Sequence, residues 1–287
     1  IRRYEKEGLF GLQDKPSGCR NQPFETNQAV VQKILDLKKQ YKNWGAKKLR
    51  ILLFDFFTID QIPSVTTVHN FLKKHDLVRK QKRYRRIKPA YPIFDPQECN
   101  EVWSADFKGK FKMGNLKYCC PLTIQDSRSR FVFSAKGMPR ETFLDVKREF
   151  TKVFRKYGIP KQIHTDNGTP FGSTIALRRF TRLSYWFIEL GIMPVFSDPA
   201  HPEQNGRHER MHRDLKAFCT KPPAHEMKAQ QRLLNRFVKE YNFIRPHEAL
   251  EMETPAKTHV FSNKPFPERI KKYVYDTRLK VMNVTVN

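Results

Sequence analysis

The sequence predicts an α/β domain built on a mixed five-stranded sheet with flanking helices, preceded by an all-α domain. Three observations support this fold class. Short runs of apolar residues between positions 98 and 135 are separated by turn-forming residues, a pattern typical of consecutive strands. From position 141 onwards, helical patterns alternate with short strands, as in βα units. Positions 27–75, in contrast, carry helical patterns alone.

Length and composition narrow the classes of protein to consider. The 287 residues suffice for about two domains of ~150 residues each. Lys and Arg number 55 against 29 acids, and the net charge of +26 favours a polyanionic partner such as nucleic acid. No apolar run approaches the ~18–20 residues of a membrane-spanning helix, and no secretory signal is visible. The 5 cysteines are scattered, so we expect reduced thiols, no zinc site and a cytoplasmic location.

The all-α domain is expected at residues 26–78, after residues 1–25, which we interpret as the end of an N-terminal DNA-binding module and a linker. Three helical patterns follow one another there, and Ser64 is the predicted N-cap of the third. A polar last helix of this kind is typical of a helix-turn-helix module that enters the DNA major groove. An ordinary three-helix bundle with a solvated face is the alternative. The predicted outward, DNA-contacting residues are Thr66, Thr67, Asn70, Lys73 and Lys74.

Residues 79–94 form a basic linker that contains no acid. Such a segment is suited to lie along a phosphate backbone and to bind it with strong salt dependence. A solvated hinge or a localisation signal would have the same composition. The cations that we expect to contact DNA are Arg79, Lys80, Lys82, Arg83, Arg85 and Arg86.

The α/β domain is expected to follow the order βββαβαβα. Periodicity and turn residues set its predicted boundaries. The predicted strands are 102–111, 118–124, 131–135, 162–165 and 193–196, and the predicted helices are 141–157, 175–190, the segment after Gly206, and 230–241.

Three acids occupy positions at which a charge needs an explanation. Asp106 interrupts a half-apolar strand, where an unpaired carboxylate is costly. Asp166 follows a strand and precedes Asn167-Gly168, a tight turn that exposes its side chain. Glu209 lies in the first turns of a helix, on the face opposite Met211 and Leu215. Singly, these acids could be a turn acid, an Asx-turn and a surface ion pair with Arg213. If the strands of Asp106 and Asp166 are neighbours, however, the three carboxylates converge.

The chemistry of three convergent carboxylates is that of a hard divalent cation. Oxygen ligands with open coordination positions suit Mg²⁺ or Mn²⁺ and not zinc. A pair of such ions is a known device for in-line displacement at phosphorus. We therefore expect two ions, bound by Asp106, Asp166 and Glu209.

The segments around these acids resemble those of the DDE recombinases, the retroviral-integrase-like transposases of bacterial insertion sequences. The three segments are Trp-Ser-Ala-Asp-Phe-Lys-Gly at Asp106, His-Thr-Asp-Asn-Gly-Thr-Pro-Phe at Asp166 and Asn-Gly-Arg-His-Glu-Arg-Met-His at Glu209. The segment 241–250 is also similar to the one that follows the catalytic helix in those transposases. No counterpart of the zinc-binding N-terminal domain of retroviral integrases is visible.

The resemblance implies a ribonuclease H-like catalytic domain at residues 95–255 and metal-dependent DNA cleavage, followed by attack of a 3′-hydroxyl on target DNA. It implies metal-ligand roles for the three acids, and DNA contacts near the site by Asn205, Arg207, His212, Arg213 and Lys216.

Further expectations concern partners and neighbouring segments. The expected partners are double-stranded DNA, as transposon ends and target, and further copies of the chain in a synaptic complex. A bacterial, nucleoid-associated location when bound to DNA is expected. Residues 256–287 are interpreted as a C-terminal extension that begins a small β domain. Two alternatives remain open: a DNA-binding protein with an inactive ribonuclease H-like domain, and a purely hydrolytic metal-dependent nuclease.

Overall fold

The computed structural model of the chain describes residues 2–13, 26–78, 95–172, 180–197 and 206–270. The chain divides into two compact units, Ile1–Lys80 and Gln81–Asn287. The predicted basic linker 79–94, with all its cations, lies outside the described residues, as do Asn205 and positions 271–287 of the predicted C-terminal extension. Within the described ranges, no helix has the length and apolar character needed to span a membrane.

The first unit is helical. Its elements are α1 (Arg2–Glu7), a 3₁₀ turn (Gly8–Leu12), α2 (Gln28–Gln40), α3 (Ala46–Leu53), a 3₁₀ turn (Ile59–Gln61) and α4 (Val65–Lys74). The three helices predicted for residues 26–78 are therefore confirmed as α2, α3 and α4. Ser64 caps α4 as predicted, because its hydroxyl accepts a hydrogen bond from the Thr67 amide. Ile34, Leu49 and Val68, one from each helix, are fully buried in a shared apolar core.

The second unit is built on a mixed sheet of six strands. These are β1 (Val102–Phe107), β2 (Phe111–Lys112), β3 (Tyr118–Asp126), β4 (Val132–Met138), β5 (Gln162–Thr165) and β6 (Met193–Phe196). In the middle of the sheet, β1 pairs antiparallel with β3 and parallel with β5. β4 lies outside β3, and β6 lies outside β5.

The prediction of five strands is wrong by one short strand. A single strand was expected over 102–111, but the backbone leaves β1 after Phe107. Gly109 has a φ of +83°, a left-handed conformation that interrupts an extended strand. The two residues of β2 then pair separately with the beginning of β3.

The helices cover both faces of the sheet. They are α5 (Phe143–Tyr157), α6 (Arg182–Glu189), α7 (Gly206–Cys219), α8 (Met227–Phe243) and α9 (Pro255–Thr258). The predicted helix at 175–190 begins, within the described residues, only at Arg182. Its N-cap is Thr181, whose hydroxyl accepts from the Ser184 amide.

An apolar layer covers each face of the sheet. Successive side chains of β1 point to opposite faces, so this strand contributes to both layers. Trp103 and Ala105 of β1 belong to a core that contains Phe150 of α5 and Phe187 of α6. Each large side chain buried in this way contributes about 1.5–3 kcal/mol. Ser104 and Asp106 lie on the opposite face because successive strand residues alternate. On that face Met211 and Leu215 of α7 pack with residues of α8 and β4. The fold thus places Asp106 beneath α7.

Candidate active site

Asp106 lies near the carboxyl end of the central strand β1, directly opposite Thr123 of β3. Its side chain is 19% exposed, and its Oδ2 lies 3.7 Å from Nδ1 of His212. Burial raises the pKa of Asp106 to about 7, and the negative charges of Asp166 and Glu209 contribute in the same direction. The Phe107 amide and the Lys108 charge oppose this rise in pKa only in part.

Asp166 follows β5, the parallel neighbour of β1. The two aspartate-bearing strands are therefore neighbours, which was the condition for convergence of the acids, and both acids lie at the same edge of the sheet. The Gly168 amide donates a hydrogen bond to Oδ1 of Asp166 at 3.2 Å, as in an Asx-turn. Asp166 is exposed as a residue. Neighbouring groups nevertheless partly desolvate its carboxyl group, and this desolvation raises the pKa of Asp166.

Glu209 is exposed in the first turn of α7. His212, less than one turn later on the same helix, lies 3.7 Å from the Asp106 carboxylate, so the start of α7 lies near the end of β1. Both Glu209 and Arg213 are among the described residues, yet no ion pair between them forms there. Glu209 is therefore an exposed carboxylate without the surface ion pair that was its simplest alternative explanation.

The donor set of these acids fits a hard divalent cation, because all three offer carboxylate oxygens and none offers a soft ligand. Asp106, Asp166 and Glu209 would hold the ion. Their spacing is open: across the described residues, the group whose ligand atoms all lie within 4.8 Å of one another is Cys99, Asp126 and His259. Three neighbouring like charges disfavour one another's ionised forms, and a bound cation would offset this repulsion.

The group of Cys99, Asp126 and His259 lies at the other end of β1, where Asp126 is paired with Trp103. The carboxylate of Asp126 already accepts hydrogen bonds from the Asn100 amide and from the amide and hydroxyl of Ser129. The Ser129 hydroxyl also lies 3.0 Å from Nδ1 of His259. We assign this group a structural role, since its carboxylate fastens the β3–β4 turn and, through Ser129, the segment after α9.

Three histidines, His164, His208 and His212, are buried between α7 and the sheet close to Asp106. Burial lowers the pKa of His164 to about 4 and the pKa of His212 to about 3. It also lowers the pKa of His208 well below its usual range, assisted by the other two rings. These imidazoles are therefore neutral at physiological pH.

The predicted outward orientation of His212 is wrong. The residue is only 6% exposed, because the turn of α7 that carries it packs on the sheet. Its Nε2 lies 2.7 Å from the Thr123 hydroxyl. A DNA contact by His212 consequently loses its basis, and the residue belongs instead to the support of Asp106.

The other predicted DNA-contacting residues differ in their surroundings. Arg213 and Lys216 are exposed on α7. Arg207 is engaged, with an ion pair of 3.0 Å to Asp95 and a hydrogen bond to the Ser127 carbonyl. On α4, Thr67 is half-buried and its hydroxyl lies 2.9 Å from that of Ser64. The remaining predicted residues of α4 are exposed, namely Thr66, Asn70, Lys73 and Lys74.

Comparison with known proteins agrees with this architecture. Residues 96–202 match a family model described as an integrase core domain, and residues 190–255 match a second model with the same description. One chain of a simian T-cell lymphotropic virus intasome, in a complex with a PP2A regulatory subunit, has 20% sequence identity and a TM-score of 0.50. That match covers 85% of this chain and 80% of the viral chain. The α/β domain therefore has the ribonuclease H-like fold, and its sequence is similar to integrase core domains.

Two relatives define the class further. An uncharacterized 31.7 kDa protein of insertion element IS407 from Burkholderia multivorans is 22% identical over 252 residues, which is 87% of each chain. The Pro-Pol polyprotein of simian foamy virus type 1 is 32% identical over 104 residues. Those residues are 36% of this chain, but they span only 8% of the polyprotein. The chain is thus an integrase- and transposase-like protein, which confirms the resemblance drawn from its motifs.

Proposed function

We propose that the chain is a DNA transposase that binds transposon ends, cuts a strand by water attack and joins the freed 3′-hydroxyl to target DNA. The observation that carries this proposal is the position of Asp106 on β1 and of Asp166 after its parallel neighbour β5, next to α7, the helix that carries Glu209. Their order in the chain and their places on β1, after β5 and on α7 match the pattern that the resemblance implies.

The three acids would act together as the metal-binding group of the active site. Mg²⁺ or Mn²⁺, with two ions expected, would supply Lewis-acid activation of the attacking oxygen and stabilisation of the leaving oxygen. The chain itself must keep three carboxylates ionised and close together. Burial of Asp106 opposes ionisation in the absence of a cation. The site therefore favours cation binding over a free set of charges.

DNA binding is proposed for several surfaces. Exposed Arg213 and Lys216 follow Glu209 on α7, where they would contact the strand that enters the site. Residues 26–78 are proposed to act as a helix-turn-helix domain, with Asn70 on the exposed face of α4 reading bases. The basic segment 79–94 would add phosphate contacts. Likeness to a protein of an insertion element is consistent with action on transposon DNA. Several copies of the chain would hold the two DNA ends together.

The experiment that tests this function uses labelled duplexes that carry the DNA bordering the gene, with MgCl₂ and a supercoiled plasmid as target. We expect the wild type to produce cut ends and joined products. Glu209→Gln should abolish both while leaving duplex binding unchanged. Glu189→Gln, which removes an exposed charge at the end of α6, is the matched control and should retain both activities.

The alternatives give different products in the same assay. Cleavage without joining would identify a hydrolytic nuclease and contradict the transposase proposal. Duplex binding without any metal-dependent chemistry in the wild type would identify a DNA-binding protein with an inactive catalytic domain.

A further inference from the structure

A buried hydrogen-bond network, which we call the Thr123 network, lies directly beneath the candidate active site. It consists of Ser104, Asp106, Thr123, His208 and His212. The Thr123 hydroxyl lies 2.7 Å from Nε2 of His208 and 2.7 Å from Nε2 of His212. It also donates to the backbone carbonyl of Asp106 at 3.0 Å. One hydroxyl on β3 thereby connects the backbone of β1 to two rings of α7.

The number of protons in this network fixes the roles of its members. The Thr123 hydroxyl has one proton, and the Asp106 carbonyl can only accept it. Both Nε2 atoms must then donate to the two lone pairs of the Thr123 oxygen. Nδ1 of His208 lies 2.7 Å from the Ser104 hydroxyl, which gives that ring a second partner on β1. The network accordingly assigns the Nε2–H tautomer to both histidines.

The network brackets Glu209 along the helix. His208 is the residue before Glu209, and His212 follows it by less than one turn. Both rings lie on the buried side of α7, whereas Glu209 lies on its exposed side. Any rotation or lift of this part of α7 would break hydrogen bonds to Thr123 and would move Glu209 relative to Asp106. Buried, fully satisfied networks of this kind resist such displacement.

We propose that Thr123 is a positioning residue that sets the placement of Glu209 relative to Asp106, by holding His208 and His212 of α7 against β1. The inference rests on the proposed metal-binding role of the acids. Thr123 lies on β3, a strand that contributes none of the three acids, and it would extend the candidate active site to that strand. It also gives the two histidines a role other than DNA contact or catalysis.

Thr123→Val is the informative substitution, because it replaces the hydroxyl by a methyl group of similar size and so removes the hydrogen bonds while nearly keeping the shape of the side chain. Thr123→Ser keeps the hydroxyl and serves as the conservative rescue. Thr151→Val is the matched control, since the Thr151 hydroxyl donates to the Lys147 carbonyl within α5, remote from the acids. His208→Gln retains an N–H donor near the position of Nε2, and it is a second probe if Thr123→Val folds poorly.

The first measurement is the Mg²⁺ dissociation constant, obtained from the dependence of the thermal unfolding midpoint on the MgCl₂ concentration. Supporting groups of metal ligands typically change metal affinity by about 10- to 100-fold. We expect Thr123→Val to require about 10-fold more MgCl₂ or more, and Thr123→Ser and Thr151→Val to match the wild type. Equal MgCl₂ requirements for Thr123→Val and the wild type would overturn the inference. If MgCl₂ does not change the unfolding midpoint of the wild type, the proposed metal-binding role of the acids is overturned as well.

The second measurement reports on the network without metal or DNA. Ring-nitrogen signals of ¹⁵N-histidine-labelled protein should show Nε2–H for His208 and His212 in the wild type and in Thr123→Ser. Thr123→Val should lose this uniform tautomer. Nδ1–H rings in the wild type would overturn the assignment. Failure of the DNA-joining assay alongside a normal MgCl₂ response would contradict the proposed transposase activity but not the role of Thr123.

Discussion

Gly168 and Asp166 are in such close contact that a methyl group on the Gly168 Cα would lie 3.0 Å from Oδ2 of Asp166. The same glycine donates its amide hydrogen to Oδ1 of that carboxylate. Gly168 therefore sets both the hydrogen bond and the free space that orient Asp166. The requirement is steric and concerns only the position of the carboxylate.

Gly168→Ala should reduce DNA joining by about 10-fold, because the added methyl group displaces the Asp166 carboxylate by less than the ~1 Å that costs up to ~100-fold. The unfolding free energy should change little, since the strain falls on a movable side chain. Joining rates and urea unfolding of the same preparations check both expectations. Gly45→Ala is the control, as no atom lies within 4 Å of its added methyl group. Equal joining by Gly168→Ala and the wild type would contradict this role.

Asp106 should make the metal-free protein less stable as the pH rises. Its folded-state pKa is raised from 3.8 to about 7, so its favourable contribution is complete below pH 3.8 and is lost as the pH rises through about 7. Asp106→Asn should remove this dependence and be more stable than the wild type at pH 8 by on the order of 1–4 kcal/mol. Urea unfolding of both proteins in EDTA, at pH 5 and at pH 8, measures this difference in stability.

The control for this experiment is Asp55→Asn, an exposed acid of the first unit, which should follow the wild type at both pH values. Addition of MgCl₂ at pH 8 should raise the stability of the wild type and have little effect on Asp106→Asn. An identical loss of stability with pH in Asp106→Asn and the wild type would contradict the assigned origin of the effect.

Asp126 should contribute to stability and not to chemistry. Its carboxylate accepts three hydrogen bonds at 2.6–2.8 Å, two from amides and one from the Ser129 hydroxyl. Asp126→Asn places an N–H₂ group among donors and should cost about 2–4 kcal/mol of unfolding free energy. Glu98→Gln, in an exposed pair with Lys161, should cost less than about 1 kcal/mol. A small effect of Asp126→Asn on urea unfolding would contradict the structural assignment.

Asn70 and the lysines of α4 should affect DNA binding in different ways. If α4 reads bases, Asn70→Ala should change sequence preference by about 1–3 kcal/mol at one position. Lys73→Ala should weaken binding to all sequences. It should also reduce the slope of log affinity against log salt concentration by about 1, as expected for the loss of one phosphate contact. Binding of a duplex library at two salt concentrations separates the effects. A uniform loss of affinity in Asn70→Ala would show that its side chain contacts only the backbone.

Much of the fold was predictable because its signals are local. The strands Gln162–Thr165 and Met193–Phe196 have the predicted bounds, since turn residues flank each of them. The break in the first predicted strand was missed because a left-handed φ at Gly109 leaves no mark on the apolar pattern.

The support of the site could not be predicted in the same way. His212 looks like a polar surface residue in a helical projection, and only the polar face of β1 and β3 explains its burial. Likewise, Cys99, Asp126 and His259 are brought together by tertiary packing, over separations that no local pattern records. The three acids were identifiable because their surrounding motifs resemble those of a known family.

The central claim is that the three acids form one metal site. Its most direct test is a crystal structure of the chain grown with MnCl₂, in which anomalous difference maps locate the manganese. We predict manganese peaks bound by the carboxylates of Asp106, Asp166 and Glu209, which are lost in Asp106→Asn. A structure with manganese bound elsewhere, or with the three carboxylates turned away from one another in the presence of the ion, would contradict the assignment of these acids as one metal site.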